Sequence, residues 1–193
     1  MTKTFTSLSS AAAALLLGLA SAPAAFADAA MFDGFYGGLS LGSVSPDANF
    51  IPNTIDSAFG YSLFAGYNHA LSNDWVVGGE LSYGASGAHG ISGSAVTLDF
   101  ENALTISARA GYVINRTMIY GRVGYQTVDV QPSTLATSIG AEGATFGLGV
   151  EHMFTENLSG RIEFSHSILD LDSGPPGAEF DTNTVSIGIA MHF

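Results

Sequence analysis

The 193-residue sequence has no cysteine, a single lysine (Lys3) and only five basic residues in all. Without cysteine there is no disulfide framework, so the fold must be held by packing and backbone hydrogen bonds alone. Seventeen acidic residues against those five bases give a net charge of −12, which repels nucleic acid and other polyanions. Charged residues make up only 11% of the chain while 47% is apolar, too sparse a charge to coat a water-soluble surface. Long apolar runs are also missing. The longest, "AAAALLLGLA" (Ala11–Ala20), spans ten residues, whereas a membrane helix needs roughly 20.

The run at Ala11–Ala20 follows Lys3 and leads into "SAPAAFA", ending in the small-x-small pattern Ala25-Phe26-Ala27. This pattern predicts a cleaved signal peptide over residues 1–27 and a mature domain over 28–193. The mature segment carries four arginines, no lysine and all seventeen acids, a net charge of −13. Its length suits one domain, and the 24 glycines of the full chain, all but Gly18 within this segment, argue against helix, since each costs about 1 kcal/mol there.

What is present is alternation. "TVSIGIAMHF" (Thr184–Phe193) sets Val185, Ile187, Ile189, Met191 and Phe193 against small or polar neighbours. Seven earlier segments repeat the pattern, with Phe35, Leu39 and Leu41; Tyr61, Leu63 and Tyr67; Trp75, Leu81 and Tyr83; Phe100, Leu104, Ile106 and Tyr112; Ile119, Val123 and Tyr125; Phe146, Leu148 and Phe154; and Ile162, Phe164 and Ile168 on their apolar faces. Period two marks half-buried strands. The joints alternate as well. "LSND", "INRT" and "TEN" are tight turns, and long loops are expected near Val44–Asp56, Ala85–Asp99, Asp129–Gly143 and Leu169–Asp181. Short turns on one rim and long loops on the other suit an outer-membrane barrel.

Periodicity alone does not say whether the apolar face points in, as in a soluble barrel or sandwich, or out. Three features favour outward. The opposite faces hold mostly Gly, Ser and Thr, suited to filling a narrow lumen. Tyr67, Trp75, Tyr112 and Phe154, with Phe193, fall near the short-turn ends, where an interfacial aromatic girdle belongs. The interior of eight strands would be crowded by so many large apolar side chains.

"FAGYNHALSNDWVVGGELSYG", "SARAGYVINRTMIYGRVGY" and "GLGVEHMFTENLSGRIEFSH", closed by "IGIAMHF", resemble the opacity-type, OmpA-like outer-membrane β-barrels of Gram-negative bacteria. The resemblance spans the mature chain. It implies an all-β, eight-stranded antiparallel up-and-down transmembrane barrel in the outer membrane. It also implies that Val185, Ile187, Ile189, Met191 and Phe193 form a terminal-strand signal read by the outer-membrane assembly machinery. Met191 stands where the family more often has an aromatic.

Candidate chemistry on the inner face is a belt of six charges: Glu80, Arg109, Arg122, Glu151, Arg161 and Glu163. Counting from "TEN" sets Glu151 opposite Arg161 and predicts that they pair; counting from "INRT" sets Arg109 opposite Arg122, a repulsion that intervening carboxylates must relieve. The belt serves either as an ion-pair plug or as a gate. None of the five histidines has a partner at metal-ligand spacing, and no catalytic residue, metal or cofactor is implied. In "SHS", Ser165 and Ser167 face away from His166, which opposes a lipid A-modifying enzyme. The loop acids, among them Asp170, Asp172 and Asp181, echo a calcium loop, but Pro175 sits where glycine is needed. The sequence thus points to a non-enzymatic surface and envelope protein, a monomer, with a narrow porin-like channel as the alternative. Its expected partners are outer-membrane lipid and lipopolysaccharide, the assembly machinery, periplasmic chaperones and an unidentified surface ligand.

Overall fold

In the computed structural model, which describes residues 29–49, 54–71, 73–134, 137–172 and 178–193, the chain forms eight antiparallel strands. They are β1 (Gly34–Ala48), β2 (Ala58–Ala70), β3 (Trp75–Gly90), β4 (Thr97–Ile114), β5 (Thr117–Pro132), β6 (Ile139–Met153), β7 (Leu158–Leu171) and β8 (Glu179–His192). Each strand pairs with its neighbours in chain order, and β8 closes on β1. Closure removes the sheet edges that would otherwise template aggregation. The signal peptide expected over residues 1–27 lies outside the described residues.

Local chemistry sets the short-turn rim. Asn73 and Asp74 (φ 74° and 63°) turn β2 into β3, and Asn115 (φ 56°) turns β4 into β5; Asn and Asp tolerate this left-handed region best among residues with a side chain. Between β6 and β7 the Thr155 hydroxyl accepts the N–H groups of Asn157 and Leu158 at 3.3 and 3.0 Å.

Between the rims the wall is apolar outside and polar inside. Leu63, Ile106, Leu148 and Ile187 are each roughly two-thirds exposed, while Ser107, Arg109, Thr145 and Ser165 beside them in the wall are buried. At the long-loop end the pattern inverts. Leu98, Phe100, Val128, Val130, Ala141, Leu169 and Phe180 turn inward and pack together, while Glu142, Asp170, Glu179 and Asp181 are exposed. The same strands therefore cross two solvents, lipid below and water above.

This second regime corrects two expectations. The ladder continues into the segments read as long loops, with Val128 opposite Ala141 and Asp47 opposite Asp181. Phe100, read as part of the apolar lipid face, points into the barrel. A register shift between Glu101 and Leu104, where Asn102 takes φ 51°, inserts one extra residue into β4, and one residue reverses the facing of everything beyond it.

A feature without a sequence signal closes the other end. A 3-10 turn, Ala29–Phe32, tucks into the short-turn mouth. Phe32 is fully buried among Val76, Val113, Met118 and Met153. Its carbonyl accepts Asn68 Nδ2 at 3.0 Å, and Asp33 Oδ1 accepts the Ala70 N–H at 2.6 Å.

Candidate functional site

All six charges of the belt lie inside the barrel between the two apolar ends. Glu80, Arg109, Glu151, Arg161 and Glu163 are buried, and Arg122 is nearly so. Glu80, Arg109, Arg122 and Glu151 take inward positions of β3, β4, β5 and β6, and Arg161 and Glu163 two successive inward positions of β7, so closure of the barrel brings them together.

The ladder does set Glu151 opposite Arg161 and Arg109 opposite Arg122. The expected Glu151–Arg161 ion pair does not form. Arg161 instead crosses the lumen to Glu80, with Nη1 2.6 Å from Oε2 and Nη2 3.4 Å from Oε1. Glu151 pairs with Arg109, Nη1 to Oε2, at 3.0 Å. Directly opposed side chains in a wall this curved both aim at the axis, where the first charge they meet comes from across the barrel. The two opposed arginines are separated in the same way, for Arg122 Nε lies 2.9 Å from Glu163.

Further side chains complete the network. Tyr36 donates to Glu80 Oε2 at 3.0 Å and Tyr120 to Glu163 Oε2 at 2.8 Å. Arg109 Nε donates to Asn68 Oδ1 at 2.9 Å. The Arg109 guanidinium is sandwiched between the Tyr36 and Tyr120 rings, 4.4 and 5.1 Å from their centroids, and that of Arg161 lies 3.5 Å over Phe64. Such contacts soften the desolvation of a buried cation. The tyrosines fit because their neighbours are glycines: a Cβ on Gly66 would collide with the Tyr36 hydroxyl, and one on Gly149 with the Tyr120 ring. Tyr36, Phe64, Asn68 and Tyr120 were not among the candidate residues. The available signal was an aromatic ring amid glycines on the small, polar face of a strand.

At the short-turn end of the belt Glu151 Oε1 meets Ser159 Oγ (2.7 Å) and His192 Nε2 (3.0 Å), and those two atoms lie 3.0 Å apart. A carboxylate oxygen can only accept, so the geometry puts the proton of His192 on Nε2. Serine, histidine and glutamate here do not make a hydrolytic triad, which needs that same nitrogen free to take the serine proton. All three are buried beneath Phe32.

Above the belt lies a chamber of about 130 Å³, lined by Ser40, Ser82, Thr105, Thr145, Ser165 and Thr182, among others, with Glu80, Arg122, Arg161 and Glu163 contributing its charges. Phe100, Val128 and Leu169 line its outer side. Among the described residues no group of His, Asp and Glu is arranged to hold a metal ion.

On the outside, Tyr67, Trp75, Tyr112 and Phe154 stand exposed beside the short turns. Tyr67 packs edge-on against Phe35 (4.9 Å) and Tyr112 against Trp75 (5.5 Å). Val185, Ile187, Ile189 and Met191 line the lipid face of β8, and Phe193 follows at 81% exposure. Its N–H donates to the Phe35 carbonyl at 2.9 Å, while His192 points inward.

A family model for the outer membrane protein beta-barrel domain matches residues 11–193. The chain is 31% identical over 181 residues to the 22 kDa outer membrane protein of Rhizobium leguminosarum bv. viciae, covering 86% of this chain and 80% of that protein. Among solved structures it is similar to Neisserial surface protein A, with a TM-score of 0.58 at 13% identity, covering 83% of this chain and 98% of that one. It is also similar to Ail, the attachment invasion locus protein of Yersinia pestis, in complex with the heparin analogue sucrose octasulfate. There the TM-score is 0.55 at 20% identity, over 83% of this chain and 99% of Ail. At these identities the two structures share a fold with this chain.

Proposed function

The chain belongs to the outer membrane protein beta-barrel family, and from that premise we propose that it is a non-conducting barrel that reinforces the envelope and presents its outer rim to partners. The observation that carries this reading is the pair of apolar clusters, around Phe32 and around Phe100, that bracket the ion belt. An ion crossing the lumen would lose its water at both. Planar-bilayer recording tests it: negligible steady current is expected. A sustained, ion-selective current whose preference changes in Arg109→Glu or Arg122→Glu, without loss of folding, would instead favour a narrow channel, the reading to which the polar chamber lends support.

No catalytic role is proposed. The burial and proton placement of Ser159, His192 and Glu151 support that reading. The rim suits cationic partners, because residues 28–193 hold no lysine and all four arginines lie elsewhere: Arg109, Arg122 and Arg161 inside, Arg116 at the short turns. Ail binds a sulfated heparin analogue; an acidic rim would repel such a ligand, so that chemistry is not assigned to this chain. Suitable partners are a basic protein surface or the divalent cations that accompany lipopolysaccharide phosphates. We assign the girdle residues Tyr67, Trp75, Tyr112 and Phe154 to the inner lipid interface. The outward residues of β8, ending at Phe193, are assigned to recognition by the assembly machinery. With lipid-compatible side chains around the whole wall, the barrel is assigned as a monomer.

A further inference from the structure

We propose that the segment from Ala29 to Asp33 is a latch that seats only after the barrel has closed, and that it governs how fast the barrel opens rather than how fast it folds. The assignment follows from where its socket comes from. The cluster that buries Phe32 takes Val76 from β3, Val113 from β4, Met118 from β5 and Met153 from β6. The His192 ring of β8 meets Phe32 edge-on, with centroids 5.9 Å apart. On β2, Asn68 Nδ2 and the Ala70 N–H donate to the Phe32 carbonyl and the Asp33 carboxylate. Six of the eight strands thus build the socket. In an open sheet of the same strand order, β8 would lie at the far edge from β2, and no such socket would exist.

The belt prepares the seat. Asn68 is fully buried and both ends of its amide are committed: Oδ1 accepts from Arg109 Nε at 2.9 Å, and Nδ2 donates to the Phe32 carbonyl at 3.0 Å. Arg109 is held in turn by Glu151 of β6, at 3.0 Å. A pair that spans β4 and β6 therefore aims the amide, and Phe32 supplies the acceptor that its buried N–H needs. The four-residue turn has little to hold it before that seat is ready, because so short a helical piece is not stable alone. Contacts made after the transition state slow unfolding and leave the folding rate unchanged. The chain has no cysteine to supply that protection as a covalent link, and the latch supplies it by packing. A rate of opening does not depend on whether the lumen conducts, so the inference stands apart from that question.

The test follows folding and unfolding in micelles through the heat-modifiable form of the barrel. Phe32→Ala should speed unfolding in urea about tenfold or more, a modest part of what a lost core phenylalanine is worth. Its folding rate should stay within about twofold of the parent, as for a contact absent from the transition state. Should too little of that variant stay folded for kinetics, Phe32→Leu keeps an apolar side chain in the socket. It should show the same effect, smaller, on unfolding alone. Ala29→Cys puts a thiol at a buried position of the latch in a chain without cysteine. During refolding it should stay open to maleimide pulses until the heat-modifiable form has appeared. Slower folding in either Phe32 variant, an unfolding rate unchanged in both, or protection of the thiol ahead of the heat-modifiable form would each overturn the proposal.

Discussion

Arg161 reaches across the lumen to Glu80, at 2.6 Å, although the residue beside it in the β6–β7 ladder is Glu151. The belt is therefore a set of struts spanning the barrel, not a ring of hairpin pairs. Its connections run between strands far apart in the chain, β3 to β7 and β4 to β6. Each strut resists flattening of the cross-section, which ladder hydrogen bonds alone do not.

The strut predicts a specific pattern of rescue. Arg161→Met removes the nearest cation of Glu80 and leaves it only Arg109 at 3.9 Å, and breaking a buried pair costs about 3–5 kcal/mol. Adding Glu80→Leu should recover much of the loss in urea unfolding in micelles. Adding Glu151→Leu should recover less, because the Arg109 it frees from Glu151 stands 3.9 Å from Glu80, against 2.6 Å for the lost Arg161. Equal rescue by both second mutations would reject the cross-lumen pairing.

Stability should depend on pH through His89. It lies above the lipid band, buried, with Nε2 3.0 Å from Ser86 Oγ and Nδ1 2.9 Å from the Asp56 carbonyl oxygen. Burial holds its pKa below the ordinary 6.5, although the Asp56 carbonyl and the Asp99 carboxylate pull the other way. As pH falls through the ordinary value, the unfolded chain takes up a proton that the folded chain refuses. This contribution is thus complete above pH 6.5 and is lost as pH falls toward the lower folded value. Urea midpoints should drop between about pH 8 and about pH 5, and His89→Gln should flatten part of that drop. An unchanged slope in the variant would exclude His89 as the source.

Orientation can be read with thiols, since the chain has no cysteine of its own. Ser94→Cys, in the loop between β3 and β4, should react with a membrane-impermeant maleimide on intact cells. Asn73→Cys, in the β2–β3 turn, should react only after the outer membrane is opened. The reverse result would invert the barrel.

Assembly should fail from the lipid face of β8. Ile189 is half exposed to lipid, and an arginine near the midplane costs about 2–4 kcal/mol, so Ile189→Arg should reduce the folded, heat-modifiable form. Deletion of Phe193 should leave the exported chain open to periplasmic proteolysis. Normal levels of assembled barrel in the deletion would refute a recognition role for that residue.

The wall was legible from sequence because the lipid band imposes a strict period of two, and Leu63, Ile106, Leu148 and Ile187 follow it without exception. Legibility stopped at the bulge. Nothing in "DFENALT" declares that Asn102 will take a left-handed φ and turn Phe100 inward, because the extra residue is a property of the β4–β5 register. The six charges could be assigned to the inner face, but not paired, since pairing depends on how the closed barrel sets distant strands across from one another. Phe32 was invisible for a different reason. It precedes the first strand and belongs to no periodic pattern, and only the finished mouth of the barrel gives it a place to be buried.

The meeting of β1 and β8, with the Phe193 N–H bonded to the Phe35 carbonyl at 2.9 Å, has a consequence for how the gene could be rearranged. A circular permutant, joined from Phe193 to Gly34 and opened in the loop between β4 and β5 or between β3 and β4, keeps every strand pairing. It relocates the ends of the polypeptide. Opened between β3 and β4, it would start and stop at the water-facing rim, with Phe193 no longer on the last strand. Refolding in micelles would report on the ladder alone, and insertion in cells on the position of the last strand. One rearranged chain would thus separate what the barrel needs to be stable from what the cell needs to recognise it.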